Sequence, residues 1–511
     1  MQKSILAAST AAAVVTTFLT ACAVPVEVVS VSSGTVLRNV HVVDTRTGSL
    51  TRDAAVIIEQ GKIRRVVPNA WVQTSGNAMV IDGGGKYLVP GYLDMHTHSL
   101  PAAVFQKAPH WPLLLANGVT GIREMAGAPP LIAAAKQINA ARAAGTLDAP
   151  EVLQIPGPPV IIARTPEDGV AAVRQTKAMG GDFVKVLGAL PAVIPAIVQE
   201  ARAQGLGVAG HLTPGMGAVA TAATGWTAFE HLGGGWGIPL DCADDEAAIR
   251  SDLLAGKGAT MPSPFPPTYP ISPFVYSAGD APFMQRYRDS YNNTKCEAVT
   301  KALVEKGTWQ VPTMVRLRTM TNSDNAAFRN DPNLKYVDPT TRGLWNKLSK
   351  DFENLQPASA ATSFRNSYAP FERTLKQLHQ HGGASRILVG TDVGGIWVIP
   401  GFSLHQEFRE FARAGFTPLE ILQATTLNAA RFLNRESSMG TVEANKNADL
   451  VLLDANPVTD VANLSGIAGV FNAGKYFSKS DLEALKAGVA TAHAAAPLRD
   501  PSTVIDTSHK H

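Results

Sequence analysis

Cysteine is scarce in this chain of 511 residues: Cys22, Cys242 and Cys296 are too few for a disulfide scaffold or a thiolate zinc finger. Charge of one sign is lacking as well. Forty-five basic against 42 acidic side chains leave a formal net charge of +3, which argues against a nucleic-acid surface or a polybasic membrane patch. Beyond the first 22 residues no apolar run reaches the ~20 residues that a membrane span needs. What is present is an ordinary globular balance, 45% hydrophobic and 17% charged, which excludes a disordered or fibrous chain. At ~150 residues per domain the length allows about three domains, or one barrel with attachments.

Residues 1–22 read as an export signal. Lys3 supplies a positive start, Ile5 to Leu19 an apolar stretch, and Leu19-Thr20-Ala21-Cys22 resembles the bacterial lipobox. The expectation is cleavage before Cys22 and lipidation of it, with a plain secretory peptide cut nearby as the alternative. Acyl chains, at ~0.8 kcal/mol per buried CH₂, would tether an otherwise soluble periplasmic or outer-membrane-anchored protein. In that oxidising compartment Cys242 and Cys296 could pair, which spacing alone leaves open.

Residues 34–87 read as short strands, among them Thr35–Val43, Ala55–Glu59 and Lys62–Val67, separated by turns such as Gln60-Gly61. From residue 88 to 433 apolar strand runs alternate with alanine-rich helical stretches: Ala116–Glu124, Phe183–Leu187, Gly207–His211, Thr227–His231, Gln310–Val315 and Arg386–Thr391 are the strand candidates. Alternation over so long a stretch predicts parallel β/α units closed into a (β/α)8 barrel. Strands return in Ala448–Leu453 and Gly469–Phe471, so segments 34–87 and 434–477 are expected to pair into one composite β-sandwich domain. Residues 478–511 read as a helix and a polar tail. An insertion at about 240–306 contains the proline-rich run 261–270, which can be neither helix nor central strand. It reads equally as a lid over the barrel mouth or as an excursion remote from it.

The chemistry lies in residues at strand ends. In Asp94-Met-His-Thr-His98 the two imidazoles, His96 and His98, share one strand face and can reach one ion. Lys185 lies in the apolar run Asp182-Phe-Val-Lys-Val-Leu187, where a free ammonium is costly; a buried ion pair with a neighbouring carboxylate such as Asp182 is the alternative to a functional role. His211, His231 and Asp392 end three further strand candidates. Each alone reads as a hydrogen-bonded structural residue; six metal-ligand types at the ends of successive strands read as a metal site. The run Gly215–Ala220 mimics a dinucleotide fingerprint but lacks the acidic partner about twenty residues on.

With these residues, the sequence resembles the amidohydrolase superfamily, in its imidazolonepropionase-like and prolidase-like branch. The similarity runs from Gly34 to about Phe477 and includes Ile81-Asp-Gly-Gly-Gly-Lys-Tyr-Leu-Val-Pro-Gly-Tyr-Leu-Asp-Met-His-Thr-His98, Asn117-Gly-Val-Thr-Gly-Ile-Arg-Glu124, Gly390-Thr-Asp392 and the stretch from Met439 to Asp454. The resemblance implies a (β/α)8 barrel with a composite β-domain and two divalent metal ions, most often zinc. Carried over residue by residue, it makes His96, His98 and Asp392 ligands of the first ion and His211 and His231 ligands of the second. Lys185, as a carbamate, would bridge both. Glu124 departs from the family's usual aspartate after arginine, and Leu212-Thr-Pro follows His211 where another pattern is commoner.

The reaction expected is attack of a metal-bridging hydroxide on a carbonyl carbon, Asp392 taking the proton and passing it to the departing nitrogen. Asp94 reads either as support for the histidine ligands or as a buried structural carboxylate. Arg123, Arg316 and Tyr269 are candidate substrate contacts, the arginines competing with a role as salt bridges in the barrel wall. The expected substrate is a small amide: a dipeptide, an N-acyl amino acid or an aryl amide conjugate. The alternatives are a one-metal deaminase, a lactone or phosphotriester hydrolase of the same superfamily, and a surface lipoprotein that binds ligand without turnover. No nucleic-acid partner is expected, the membrane enters only through the lipid anchor, and a homo-oligomer is left open.

Overall fold

The computed structural model describes residues 28–100, 110–161, 163–257, 278–354 and 357–497. The export segment with Cys22, the proline-rich run with Tyr269 and the polar tail lie outside these residues.

The two ends of the chain meet in one seven-stranded sheet. Its order is Lys475–Ser478, Ile467–Asn472, Leu450–Leu453, Met79–Pro90, Thr35–Val43, Leu50–Glu59 and Lys62–Pro68. Antiparallel pairing of Val451 with Val89 and of Leu450 with Pro90 joins the late strands to the early ones. Alternation along the strands gives the sheet two covered faces. Leu37, Val56, Ile58, Leu88, Leu450 and Phe471 pack on one. Val36, Ala55, Ile57 and Val67 meet Val29, Val31 and Val72 of a two-stranded ribbon on the other. The long strand Met79–Pro90 crosses from this sheet into the rest of the chain, turning at Gly91, where a Cβ would lie 2.0 Å from Thr120 Oγ1.

Between these ends the fold is α/β. Tyr92–Thr97, Val119–Glu124 and Glu151–Gln154 form one parallel ladder; Phe183–Val186, Gly207–Gly210, Ala228–Glu230 and Trp309–Val311 form another. Every residue of Tyr92–Thr97 and Val119–Glu124 is buried, as strands covered on both faces require. Helices such as Pro129–Ala143, Pro166–Met179 and Ile194–Ala203 alternate with the strands and bury Leu131, Val173 and Ile197 in one large cluster. Single parallel bridges link the two ladders at Pro156–Phe183 and Val160–Val186. On the other flank Gln310 bridges Ile387, and Val393 bridges Thr97. Met95 N and Asp392 N donate to Val389 O and His96 O across that seam, at 2.9 and 2.8 Å.

Three strand expectations need correcting; Ala116–Glu124 is a strand only from Val119, Ala116 closing the helix Trp111–Ala116. Gln310–Val315 is a strand only to Val311; Thr313 takes a left-handed conformation and a helix starts at Met314. The buried Glu407 carboxylate accepts from Met314 N and Val315 N (2.8 and 2.6 Å), so it pins the helix start and ends the strand. Arg386–Thr391 is extended but held by isolated bridges only, following a 3₁₀ turn over Gly383–Arg386. The Glu151–Gln154 strand carried too short a signal to be anticipated.

Candidate metal centre

His96, His98 and Asp392 come together from opposite sides of the seam. Ligand atoms of all three lie within 4.8 Å of one another. Asp392 Oδ1 is 3.4 Å from His96 Nε2 and 3.3 Å from His98 Nε2, and Asp392 Oδ2 is 3.8 Å from His231 Nε2. The His231 ring centroid lies 4.5 Å from that of His96 and 5.1 Å from that of His211, so the four imidazoles form one chain. Lys185 is buried on the neighbouring strand, and its ammonium interacts electrostatically with Asp392, Glu230 and Glu124. The ion pair with Asp182 is not formed: that carboxylate accepts instead from Ile155 N at 2.8 Å.

Backbone conformation delivers these side chains. His231 and Asp392 have φ of 54° and 56°, positions where a non-glycine residue is strained and which cluster at functional sites. Gly210 (φ 142°) lets His211 follow so closely on the Lys185 strand that a Cβ would lie 1.9 Å from Val186 O. Gly234 lies flat against the His211 ring, where a Cβ would come within 2.7 Å.

Behind the cluster stands a set of buried anchors. His96 Nδ1 bonds Glu230 Oε2 at 2.8 Å, and Glu230 Oε1 accepts from Arg123 Nη1 at 2.8 Å. Glu124 accepts from Ser99 N, Leu100 N, Met125 N and Ala126 N and lies 3.7 Å from His98 Nδ1. His231 Nδ1 bonds Thr313 Oγ1 at 2.5 Å. Asp94 accepts from Thr391 N and Thr391 Oγ1 at 3.0 and 2.6 Å, locking the segment that carries Asp392.

Charges follow from these contacts. Burial is the largest influence throughout. It carries Asp94 up to about 7, and lowers His98, Lys185, His231 and, to about 3, His211. It opposes but does not outweigh the Arg123 guanidinium at Glu230, held down at about 2, nor the histidines around Asp392, held well below the usual carboxylate range. His96 is raised by Asp392 and Glu230 despite its burial.

The donor set fits divalent cations. Among the described residues, buried His96 Nε2 and His211 Nε2 have no hydrogen-bond partner, although an imidazole nitrogen in a protein interior normally has one. Both face a carboxylate-and-imidazole cluster of the kind that binds zinc. Of the two roles open to Arg123, substrate contact and buried salt bridge, the salt bridge is the one formed. Its side chain is fully buried, paired to Glu230 and stacked 4.2 Å from the Phe183 ring centroid, so it braces the site from behind. Arg316 does border the centre, its Nε 3.4 Å from Asp392 Oδ2 over Gly395. Glu230 and Thr313 were not anticipated. A glutamate closing the apolar strand Thr227-Ala-Phe-Glu carries the same signal that singled out Lys185.

Residues 287–476 match the model of the amidohydrolase family. Imidazolonepropionase of Streptococcus gordonii is 29% identical over 110 residues, 22% of this chain and 34% of the relative, so only about a third of that relative's length is spanned. Among solved structures, a bottromycin amidohydrolase aligns over 91% of both chains with a TM-score of 0.61 and 22% identity. A Xaa-Pro dipeptidase with bound methionine in its active site aligns over 87% of this chain and all of its own, with a TM-score of 0.57 and 17% identity. At such identities the structural likenesses speak for the fold. Together the matches fit the superfamily branch read from the sequence.

Proposed function

We propose that this protein is an exported, metal-dependent amidohydrolase that cleaves a C–N amide bond in a small substrate, on a (β/α)8 barrel carrying a composite β-domain. The observation that carries the reading is the meeting of His96, His98 and Asp392 within one ligand-sized cluster. The family match and its relatives support an amidohydrolase enzyme. The two parallel ladders and the bridges at Pro156–Phe183, Gln310–Ile387 and Thr97–Val393 support closure into a barrel.

His96, His98 and Asp392 would hold one ion, His211 and His231 a second, and Lys185, carboxylated by CO₂ at its neutral amine, would join them. Such ions, when bound, lower the pKa of water toward ~7 and polarise a carbonyl oxygen. Asp392 is ionised and in contact with three imidazoles, so its carboxylate can accept the proton of the attacking water and deliver it to the leaving nitrogen. Water adds to the carbonyl carbon, the C–N bond breaks, and a carboxylate and an amine leave. Glu230 keeps the proton of His96 on Nδ1, presenting Nε2 as a lone-pair donor. Arg316, beside Asp392, is placed to meet a substrate carboxylate. The Cys242–Cys296 disulfide supports an oxidising compartment, and with it export.

The compactness of the three-residue cluster favours one other reading, a one-metal deaminase, which has no use for Lys185. Metal analysis and chromatographic screening of dipeptides, N-acyl amino acids and amidines, on wild type and Asp392→Asn, test the proposal. Two metals per chain with amide turnover lost in the variant is the expected result. One metal with ammonia release from amidines alone would replace it with the deaminase, and no turnover in either protein would leave a binding protein.

A further inference from the structure

A cavity of about 460 Å³ opens at the opposite end of the parallel strands from the metal centre. Asn117, on its wall, precedes the strand Val119–Glu124, whose far end touches His98; at ~3.3 Å per residue that strand spans roughly 20 Å. The helix Phe402–Arg413, the C-terminal helix Lys479–Ala494 and the turn at Asp331 enclose the space.

Its charges balance in number but not in pairing. Lys479 is 3.1 Å from Asp454, which also lies 3.8 Å from Lys86, and Lys486 is 2.7 Å from Glu483, so each of these four has an opposite charge beside it. Arg409 and Asp331 remain. Both line the cavity, no ion pair joins them, and Arg409 has no acidic partner among the described residues. Asp331 gives one oxygen to Asn333 N at 2.8 Å, while the other makes only a 3.4 Å contact with Gln406. His405 adds a third feature. It is 93% buried (7% exposed), its ring bonds the backbone at Asn117, and its Nδ1 has no partner among the described residues. Burial holds this imidazole at about 4, so at neutral pH Nδ1 offers a lone pair to a donor.

We propose that this cavity is a second binding site, for a free α-amino acid in its zwitterionic form. Arg409 takes the carboxylate with its two-pronged donor geometry, Asp331 takes the ammonium, and His405 Nδ1 accepts a further N–H. A plain anion would leave Asp331 unanswered and a plain cation would leave Arg409 unanswered; only a ligand with both charges satisfies both walls. The volume is in the range of small-molecule sites and leaves room for a side chain. The proposal stands apart from the reaction at the metal centre.

Calorimetric titration of the full-length protein with L-leucine tests it, with 4-methylpentanoate and 3-methylbutylamine as single-charge controls that hydrolysis cannot consume. Saturable binding of L-leucine is expected, at least tenfold tighter than either control. Arg409→Ala and Asp331→Asn should each weaken it at least tenfold; asparagine preserves the turn that Asp331 caps, and Arg409 is exposed, so both variants should fold. Absence of saturable binding, equal binding of either control, or an affinity unmoved by both substitutions would overturn the proposal.

Discussion

Glu230 Oε2 lies 2.8 Å from His96 Nδ1, and its other oxygen lies equally close to Arg123 Nη1, so a cation outside the candidate centre sets the orientation of an imidazole inside it. All three side chains are fully buried. Glu230→Gln should therefore act twice. Arg123 is left as an uncompensated buried charge, a loss on the order of 3–5 kcal/mol in unfolding free energy. His96 loses its orienting carboxylate, which in comparable metal sites weakens the ion by roughly 10–100-fold. Denaturant unfolding and competitive chelation measure the two separately. A variant that loses stability but retains wild-type metal affinity would confine Glu230 to the fold.

Much of this site was legible from residue type and position. His96 and His98 are two apart on a buried strand, and a lysine inside Phe183–Val186 is chemically out of place unless it has work there. For Arg123 the sequence left substrate contact and salt bridge both open, because a strand end does not show which face it serves; its partner Glu230 is 107 positions away, and only folding brings the two together. The segment Arg386–Thr391 read as a regular strand from its apolar run, but Gly390 packs against His96 Cβ and Val311, and the ladder is reduced to single bridges there. Joining of the two flanking β segments into one domain was expected from strand patterns, whereas their merging into a single seven-stranded sheet was not, its crossing strand Met79–Pro90 being obscured by Gly83, Gly84 and Gly85.

Gly234→Ala is a sharper probe of the proposed second ion than removal of a candidate ligand. The added methyl would come within 2.7 Å of the His211 ring, and φ of 60° already disfavours a side chain. His211 must move, while His96, His98 and Asp392 are untouched. Metal analysis should give fewer ions per chain than wild type, with one tightly held ion remaining. Wild-type stoichiometry with an unchanged affinity for both ions would show that His211 is not a ligand.

The Arg46–Glu443 pair ties the early segment of the sheet domain to the late one, at 2.6 and 3.1 Å. Its hydrogen bonds to Arg46 hold Glu443 down at about 2. A carboxylate depressed in the folded state stabilises above its unfolded pKa of ~4.3 and loses that contribution as pH falls toward 2. Both side chains are 45% exposed, so screening limits the effect to ~1 kcal/mol or less. Stability of Glu443→Gln should match wild type near pH 2 and fall below it by that amount at pH 7. A deficit that persists unchanged at the acid end would assign the loss to packing instead of charge.

Lys185 separates the two-ion reading from every one-ion reading. Its side chain is buried and forms no ion pair within 4 Å among the described residues, although Asp392, Glu230 and Glu124 act on it electrostatically, and burial lowers its pKa, which raises the fraction of neutral amine able to add CO₂. A carbamate formed there is an anion facing His211 and His231, both kept uncharged, and so supplies the negative charge that a second divalent ion needs. Lys185→Ala should bind one ion fewer per chain and lose activity, and short carboxylic acids such as acetate or propionate, which can occupy the vacated space with the same charge, should restore part of both. Lys185→Met, which fills the space without charge, should not be rescued. Mass spectrometry of the native protein under CO₂ should add 44 Da on this residue. Full metal content and activity in Lys185→Met would leave the lysine without a role in the centre and remove the ground for a second ion.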